Sequence, residues 1–217
     1  MVQVSMRRGL TGSALIRLLD RLSGHEVRES AASTSDRLSQ WFGWTDAISL
    51  SAALDGAPAA GASAARTSPA AEEGECQRVR SALAKAIAED NTFAASEADF
   101  APFRQRYLAR QQAIEAGVGA LRSRLRSRLA ARSPAMARLA AVDVVMEQVL
   151  SARERSLLSS VPAVLERHFG RLCRDAEAAA SGAWIQAFRR DARDLLLAEL
   201  DFRFQPVEGL LDALRTT

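Results

Sequence analysis

The stretch Leu121-Arg-Ser-Arg-Leu-Arg-Ser-Arg-Leu-Ala-Ala-Arg132 combines an apolar stripe with a dense row of arginines. Its leucines recur every four residues, the spacing that places side chains on one face of an α-helix. The same stripe extends upstream, and its members are Tyr107, Ile114, Val118, Leu121, Leu125 and Leu129. The pattern predicts a long helix that starts near Pro102, a residue suited to a first helical turn. This helix buries its leucines and carries arginines over its remaining surface.

The composition extends the helical expectation to the whole chain. Hydrophobic residues make up 48% of its 217 residues, but aromatic residues only 6%. Strands favour β-branched and aromatic side chains, whereas Ala, Leu, Arg and Glu favour helix. We therefore predict an all-α fold, with a small N-terminal helical unit and an antiparallel helical bundle.

Changes in local composition divide the chain into three segments. Residues 1–54 form the small helical unit, and residues 75–217 form the bundle. Residues 55–74 are rich in Ala, Gly, Pro and Ser and contain no large apolar side chain. Because such a segment buries too little to offset the entropy of ordering, we expect a flexible linker.

Capping residues and helix breakers set the expected helix ends. Phe93, Phe100 and Phe103 are expected in a loop that docks on the bundle, and Pro206 is expected to end the last long helix. The first predicted helix begins at Thr11 or Ser13 and ends at Gly24, and the second begins within residues 33–35 and ends at Trp41. The others cover residues 47–54, 75–89, 102–129, 133–149, 160–172, 182–206 and 207–214.

Positive charge is concentrated in residues 101–140, which contain nine arginines and a single acid, Glu115. Guanidinium groups match phosphate geometry, so one interpretation is contact with a nucleic-acid backbone. The alternative is pairing with acidic helices of the same chain or of a partner. A membrane-surface helix is a poorer fit, because the apolar face lacks aromatic anchors after Tyr107. The candidate nucleic-acid-binding residues are Arg104, Arg106, Arg110, Arg122, Arg124, Arg126, Arg128 and Arg132.

Two tryptophans lie close together in the segment 36–46, which reads Asp-Arg-Leu-Ser-Gln-Trp-Phe-Gly-Trp-Thr-Asp. Tryptophan is usually buried, so one interpretation is an aromatic anchor at a corner between helices. Tryptophan is also enriched at binding hot spots, which makes Trp41, Phe42 and Trp44 candidate partner-binding residues.

No pattern for catalysis emerges from the chain. It contains no Gly-rich phosphate loop and no nucleophile elbow, and its two Cys form no zinc pattern. His168 and Cys173 are five residues apart, which places them on different helix faces. The paired carboxylates Asp191/Asp194 and Asp175/Glu177 lie among arginines, as in helical ion pairs. We predict a non-enzyme without catalytic residues, metal or cofactor.

Targeting signals are also missing. No apolar region follows the charged residues 1–8, and no run approaches 18 apolar residues, so we expect a cytoplasmic protein without membrane insertion.

Residues 10–19, together with residues 36–54, resemble a proteobacterial family of unknown function. The resemblance implies a cytosolic accessory protein of type III Zorya anti-phage defence operons, encoded beside a flagellar-stator-like motor pair. It implies as partners the second accessory protein of the operon and the membrane motor. DNA is a further candidate partner, on the argument from the arginine-rich helix given above. No catalytic residue is carried over.

Three functional hypotheses remain open at this point. The first is a defence subunit that binds a partner protein and nucleic acid. The second is a structural adaptor that completes a helical bundle with a second protein and has no nucleic-acid role. The third and weakest is a nuclease or other enzyme, which would need a metal-binding carboxylate cluster.

Overall fold

The described part of the chain is all α-helical, which confirms the predicted fold class. A computed structural model describes residues 13–24, 40–56, 68–90, 99–179 and 183–216. The helices in these ranges are α1 (Ala14–Ser23), α2 (Trp44–Asp55), α3 (Pro69–Ala88), α4 (Ala101–Ala130), α5 (Pro134–Ser159), α6 (Val161–Ala179) and α7 (Trp184–Arg215).

The two longest helices, α4 and α7, form the centre of the bundle. They pack against each other, with α3 and α6 touching both of them. Helix α5 packs on α4, α1 packs on α6 and α7, and α2 packs on α5. The predicted stripe of α4 faces the core, where Leu125 and Leu129 are fully buried.

An aromatic cluster occupies the core beside the start of α4. Phe103 and Phe188 meet edge to face, with ring centroids 5.2 Å apart, and Phe169 contacts both rings. Phe100 and Phe103 were expected in a loop, but α4 already begins at Ala101, so Phe103 is helical. Burial of these rings orders the first turn. Phe93 lies outside the described residues.

The boundary of the expected linker needs correction. Helix α3 begins at Pro69, so the last six residues of the predicted linker, 69–74, are helical. The hydroxyl of Ser68 accepts a hydrogen bond from the Ala71 amide, and proline suits the first turn. Glu72 is buried against arginines of α4, which fixes this turn to the bundle. Residues 57–67 lie outside the described ranges.

Pro206 does not end the last long helix, contrary to the prediction. Helix α7 runs through it to Arg215. A proline inside a helix removes one backbone donor and costs about 3 kcal/mol. The residues after it nevertheless continue the apolar face, because Val207, Leu210 and Leu214 are buried in the core. Burial therefore outweighs the helix-breaking tendency.

The N-terminal helix α1 is docked on the bundle. Leu15 and Leu22 belong to the main core. The Arg171 guanidinium donates to the Leu22 carbonyl at 2.6 Å, which satisfies an acceptor at the helix C-terminus. Arg21 pairs with Asp191 at 2.9 Å. Of the two predicted N-caps, Thr11 and Ser13, the structure has Ser13, and the predicted end at Gly24 is confirmed.

The end of the predicted helix 33–41 is described, and Gln40 and Trp41 are helical, whereas residues 33–39 lie outside the described ranges. The next helix starts at Trp44 rather than at residue 47. The reason is local, because the Asp46 carboxylate accepts a hydrogen bond from the Gly43 amide at 2.9 Å and caps the earlier start.

Replacing Leu125 with alanine should lower the free energy of unfolding by about 3 kcal/mol, because a fully buried leucine leaves a cavity. Urea unfolding followed by circular dichroism measures the change. Leu108→Ala is the matched control on the same helix, since Leu108 is exposed. An equal loss in both variants would contradict the assigned core.

Candidate functional site

The arginines of α4 are bound in pairs by carboxylates of neighbouring segments. Arg122 and Arg126, one helical turn apart, both contact Asp143 of α5, with shortest distances of 2.7 Å and 2.6 Å. Glu147, one turn further along α5, contacts the same two arginines. The guanidinium groups are mostly buried. Four charges therefore join α4 to α5.

The opposite edge of α4 is paired in the same way. Arg124 and Arg128 contact the buried carboxylate of Glu72, on α3, at 2.9 Å and 3.2 Å. Near the start of α4, Arg106 and Arg110 both donate to the buried Asp90, which follows α3. Each of these carboxylates binds two arginines four residues apart.

The last two candidate arginines differ from each other. Arg132 donates to the Leu214 carbonyl at 2.7 Å, near the C-terminal end of α7. Arg104 is exposed, and no carboxylate of the described residues pairs with it. All candidates except Arg104 thus have partners within the chain, as the alternative of same-chain pairing predicts. A nucleic-acid role for the eight arginines stays a prediction.

The arginines change the acidity of Asp143. Burial would raise the pKa of the Asp143 carboxyl, but the hydrogen bonds and charges of Arg122 and Arg126 outweigh it. The net effect is a pKa below its usual value. The ionised carboxylate therefore stabilises the folded chain, and this contribution is lost as the pH falls through the lowered pKa.

The aromatic corner is split between two environments. Trp41 and Phe42 are half-buried, and the Arg153 guanidinium lies 4.9 Å from the centre of the Trp41 ring, within cation–π distance. Trp44, by contrast, is 81% exposed. The two interpretations of this corner, an anchor for the fold and an anchor for a partner, thus fall on different residues.

Helix α2 exposes an apolar surface. Leu50 and Ala53 are half-buried on the side of the helix that faces α5. Trp44 and Ile48, one turn apart, occupy the opposite side, where Trp44 is 81% and Ile48 is 53% exposed. We call Trp44 and Ile48 the α2 face. Monomers seldom expose large apolar side chains side by side, so the α2 face is a candidate contact surface.

A groove borders the aromatic corner. It encloses about 770 Å³, within the size range of binding sites. Helix α4 forms its floor, α5 and α7 form its walls, and Trp41 lies at its edge. Apolar atoms form most of its surface, although many of its lining residues are charged, and its apolar residues include Val118, Leu150, Leu157, Phe202 and Pro206. We call it the α4–α5–α7 groove.

A buried polar network under the groove was missed by the sequence analysis. The Glu199 carboxylate accepts hydrogen bonds from Gln111 at 2.9 Å and from Arg203 at 3.1 Å. Tyr107 donates to it at 3.3 Å, and Arg203 also pairs with Glu154 at the groove wall. Burial raises the pKa of Glu199 despite these donors. The sequence did contain a clue to this network, because Gln111 and Glu199 stand at positions of the helical repeat where apolar residues are expected.

His168 is buried between α6 and α7 rather than exposed for chemistry. The Arg171 guanidinium donates to its Nδ1 atom at 3.2 Å, so Nε2 carries the hydrogen and donates to Asp191 at 2.8 Å. Asp191, expected in a solvated ion pair, instead links His168 to Arg21 of α1. The cluster fastens α1 to the bundle.

The described residues contain neither a metal-binding cluster nor a membrane-spanning helix. No group of three or more His, Cys, Asp or Glu side chains is placed there to hold a metal ion. None of the helices in these ranges has the length and apolar character needed to cross a membrane. The predicted absence of metal, cofactor and catalysis stays a prediction.

Replacing Asp143 with asparagine should lower the free energy of unfolding at pH 7 by about 2 kcal/mol, because two largely buried guanidiniums lose one of the two carboxylates that bind them and keep only Glu147. The wild type should also lose stability as the pH falls below about 4, and the variant should lose less. Urea unfolding at several pH values tests both effects.

Asp212→Asn is the control for this experiment, since Asp212 forms an exposed ion pair with Arg215. Its stability should change by less than about 1 kcal/mol. If the Asp143 and Asp212 variants showed the same stability and the same pH profile, the paired arginines would not support the fold.

Comparison with known proteins identifies a family but not an activity. No curated protein and no solved structure matches this chain. Residues 1–216 match the family described as protein of unknown function (DUF3348). The match covers α1 through α7, which includes the α2 face and the arginines of α4. The chain therefore belongs to the DUF3348 family.

Proposed function

We propose that this chain is a non-enzymatic binding subunit that contacts a partner protein through the α2 face. The observation that carries the proposal is the exposure of Trp44 and Ile48 on a helix that is already docked by its other side. Water contact at these side chains has a free-energy cost that a protein partner would remove. A large aromatic residue beside smaller apolar ones is typical of a binding hot spot.

The attachment of α2 supports this role. The helix packs on α5, and none of its own residues is fully buried. Val145 and Val149 of α5 are buried yet lie outside the main core, so α2 covers a small apolar patch of its own. A helix docked on such a patch presents its free side as a separate surface, well away from the central core.

The resemblance over residues 10–19 and 36–54 suggests the biological setting. The chain would act as a cytosolic accessory protein of a type III Zorya anti-phage defence operon. Its partner would be the second accessory protein of that operon, and the stator-like membrane motor is a further candidate. Residues 44–54 of the second segment belong to α2, so the resemblance and the exposed surface coincide.

The adaptor hypothesis gains support over nucleic-acid binding. The arginines of α4 are engaged by Asp90, Glu72 and Asp143. Contact with DNA phosphates would require several of these ion pairs to break. Breaking a largely buried pair costs several kcal/mol, which would offset the gain from each new phosphate contact.

Trp44→Ala should weaken binding to the second accessory protein about 30-fold, because truncating a hot-spot tryptophan costs at least about 2 kcal/mol. Isothermal titration calorimetry with the two purified proteins measures the dissociation constant. The free energy of unfolding should change by less than about 0.5 kcal/mol, because the Trp44 side chain is largely exposed and contributes little to the stability of the fold.

Leu108→Ala serves again as the control, since it removes an exposed apolar side chain from α4. It should leave the affinity unchanged. Wild-type affinity in the Trp44 variant, with a stable complex still forming, would remove the α2 face from the interface.

Duplex DNA should bind the purified protein weakly at about 50 mM salt, with a shallow dependence on salt up to about 200 mM. The reason is that only Arg104, among the eight candidate arginines, lacks a partner in the described part of the chain. Fluorescence anisotropy measures both quantities. Strong binding that collapses at the higher salt would restore the nucleic-acid hypothesis.

The DNA experiment has its own variant. Arg104→Glu reverses an exposed charge without breaking an ion pair of the described residues. Charge reversal at the paired arginines would instead disrupt ion pairs that hold α4 to its neighbours. A loss of DNA binding in such variants would therefore report on folding, and these residues are Arg122, Arg124, Arg126 and Arg128.

A further inference from the structure

The α4–α5–α7 groove has the dimensions of a helix-binding site. Along α5 its lining runs from Glu147 to Leu157, and along α4 from Glu115 to Arg122. At a rise of 1.5 Å per residue, the α5 wall is about 15 Å long, which equals nearly three turns of a helix. The lining residues on α4 are Glu115, Val118, Gly119 and Arg122, one continuous helix face.

Gly119 opens the floor of the groove. A Cβ atom added at this position would meet no other atom within 4 Å. By contrast, a Cβ atom at Gly117 would lie 3.3 Å from Leu83 of α3. Gly117 thus faces a neighbouring helix of the chain, whereas Gly119 faces empty space. A glycine in this place allows a second helix backbone to approach α4 closely.

Pro206 leaves a backbone carbonyl of α7 without its usual helical donor. Proline has no backbone N–H, so the carbonyl of Phe202, four residues earlier, receives no hydrogen bond from it. Both residues line the groove, where they add apolar surface to the α7 wall.

The charges around the groove define the flanks of an occupant. Arg122 and Arg203 are neutralised by Glu147 and Glu154. The Arg153 guanidinium lies over the Trp41 ring and, within the described ranges, pairs with no carboxylate. Arg155 and Glu115 are exposed and form no ion pair with residues of those ranges. Arg153 and Arg155 on α5 and Glu115 on α4 can therefore form ion pairs with charged residues of an occupant.

The groove also adjoins the α2 face. Trp41 lies at its edge, and Trp44 follows three residues later. Three residues span at most about 11 Å between Cα atoms. The Cα atom of Trp44 therefore lies within about 11 Å of the Cα atom of Trp41 at the edge of the groove, close enough for one partner to contact both.

From these observations we infer that the groove receives an amphipathic helix of the same partner protein. This inference rests on the proposed function. The occupant is about three turns long and carries an apolar stripe that packs on Val118, Gly119 and Leu150. It places an acidic residue toward Arg153 and Arg155 and a basic residue toward Glu115. In helix-in-groove docking of this kind, the bound helix inserts apolar side chains that recur at helical spacing along its sequence.

Gly119→Leu tests the inference by filling the groove from its floor. The added side chain meets open space within this chain, and leucine is a better helix former than glycine, so the fold is retained. Gly209→Leu is the matched control, because Gly209 is also helical and open but does not line the groove. The probe is the purified second accessory protein, titrated by calorimetry.

We expect Gly119→Leu to weaken the affinity at least tenfold and Gly209→Leu to leave it within twofold. Arg155→Glu should weaken it severalfold, because it removes one cation that faces the acidic flank. Hydrogen exchange of the complex should show new protection in residues 115–122 and 147–157. Circular dichroism of each free variant verifies that its helix content is unchanged.

The outcomes separate this inference from the proposed function. If Trp44→Ala weakened binding while Gly119→Leu and Arg155→Glu bound normally, the α2 face would stand and the groove would not be occupied. The same conclusion would follow from unchanged exchange in residues 115–122. If the wild-type chain did not bind the accessory protein at all, the proposed function would fail and the groove inference with it.

Discussion

The bundle depends on carboxylates that each bind two arginines of α4. Asp90, Glu72 and Asp143 each bridge guanidiniums four residues apart. An arginine-rich helix at the centre of a small protein repels itself unless its charges are neutralised nearby. Because one carboxylate contacts two guanidiniums, few acids suffice to hold α3 and α5 against α4. Desolvation makes such pairs costly, and removing one partner leaves a buried charge.

This pairing also explains which surfaces remain for function. Most of the arginines behind the strongest charge signal in the sequence are neutralised inside the chain, by acids 16 to 56 residues away from their arginine partners. Among the described residues, the α2 face and the α4–α5–α7 groove both leave apolar side chains without a neighbouring helix to cover them. Recognition through these surfaces would rely on shape and on apolar burial, with charge setting orientation.

Buried polar residues also hold the central helices together. Glu199 joins Tyr107 and Gln111 of α4 to Arg203 of α7. The network links the two central helices, because Tyr107 and Gln111 of α4 both donate to the Glu199 carboxylate of α7. Its outer member, Glu154, lies on α5 at the wall of the groove. The groove is therefore supported by a rigid, hydrogen-bonded layer beneath it.

Some features of this protein followed from the sequence alone because their causes are local. Leucines at helical spacing predicted the buried stripe of α4, and Ser133 with Pro134 predicted the start of α5. Other features were decided only by tertiary contacts. Pro206 stays inside α7 because buried residues follow it, and residues 69–74 are helical because Glu72 meets two arginines distant in sequence. The sequence showed a block of positive charge, but which acids neutralise it depends on how the helices pack. Whether Trp41 or Trp44 is exposed was likewise undetermined, because exposure is set by the helix that lies opposite.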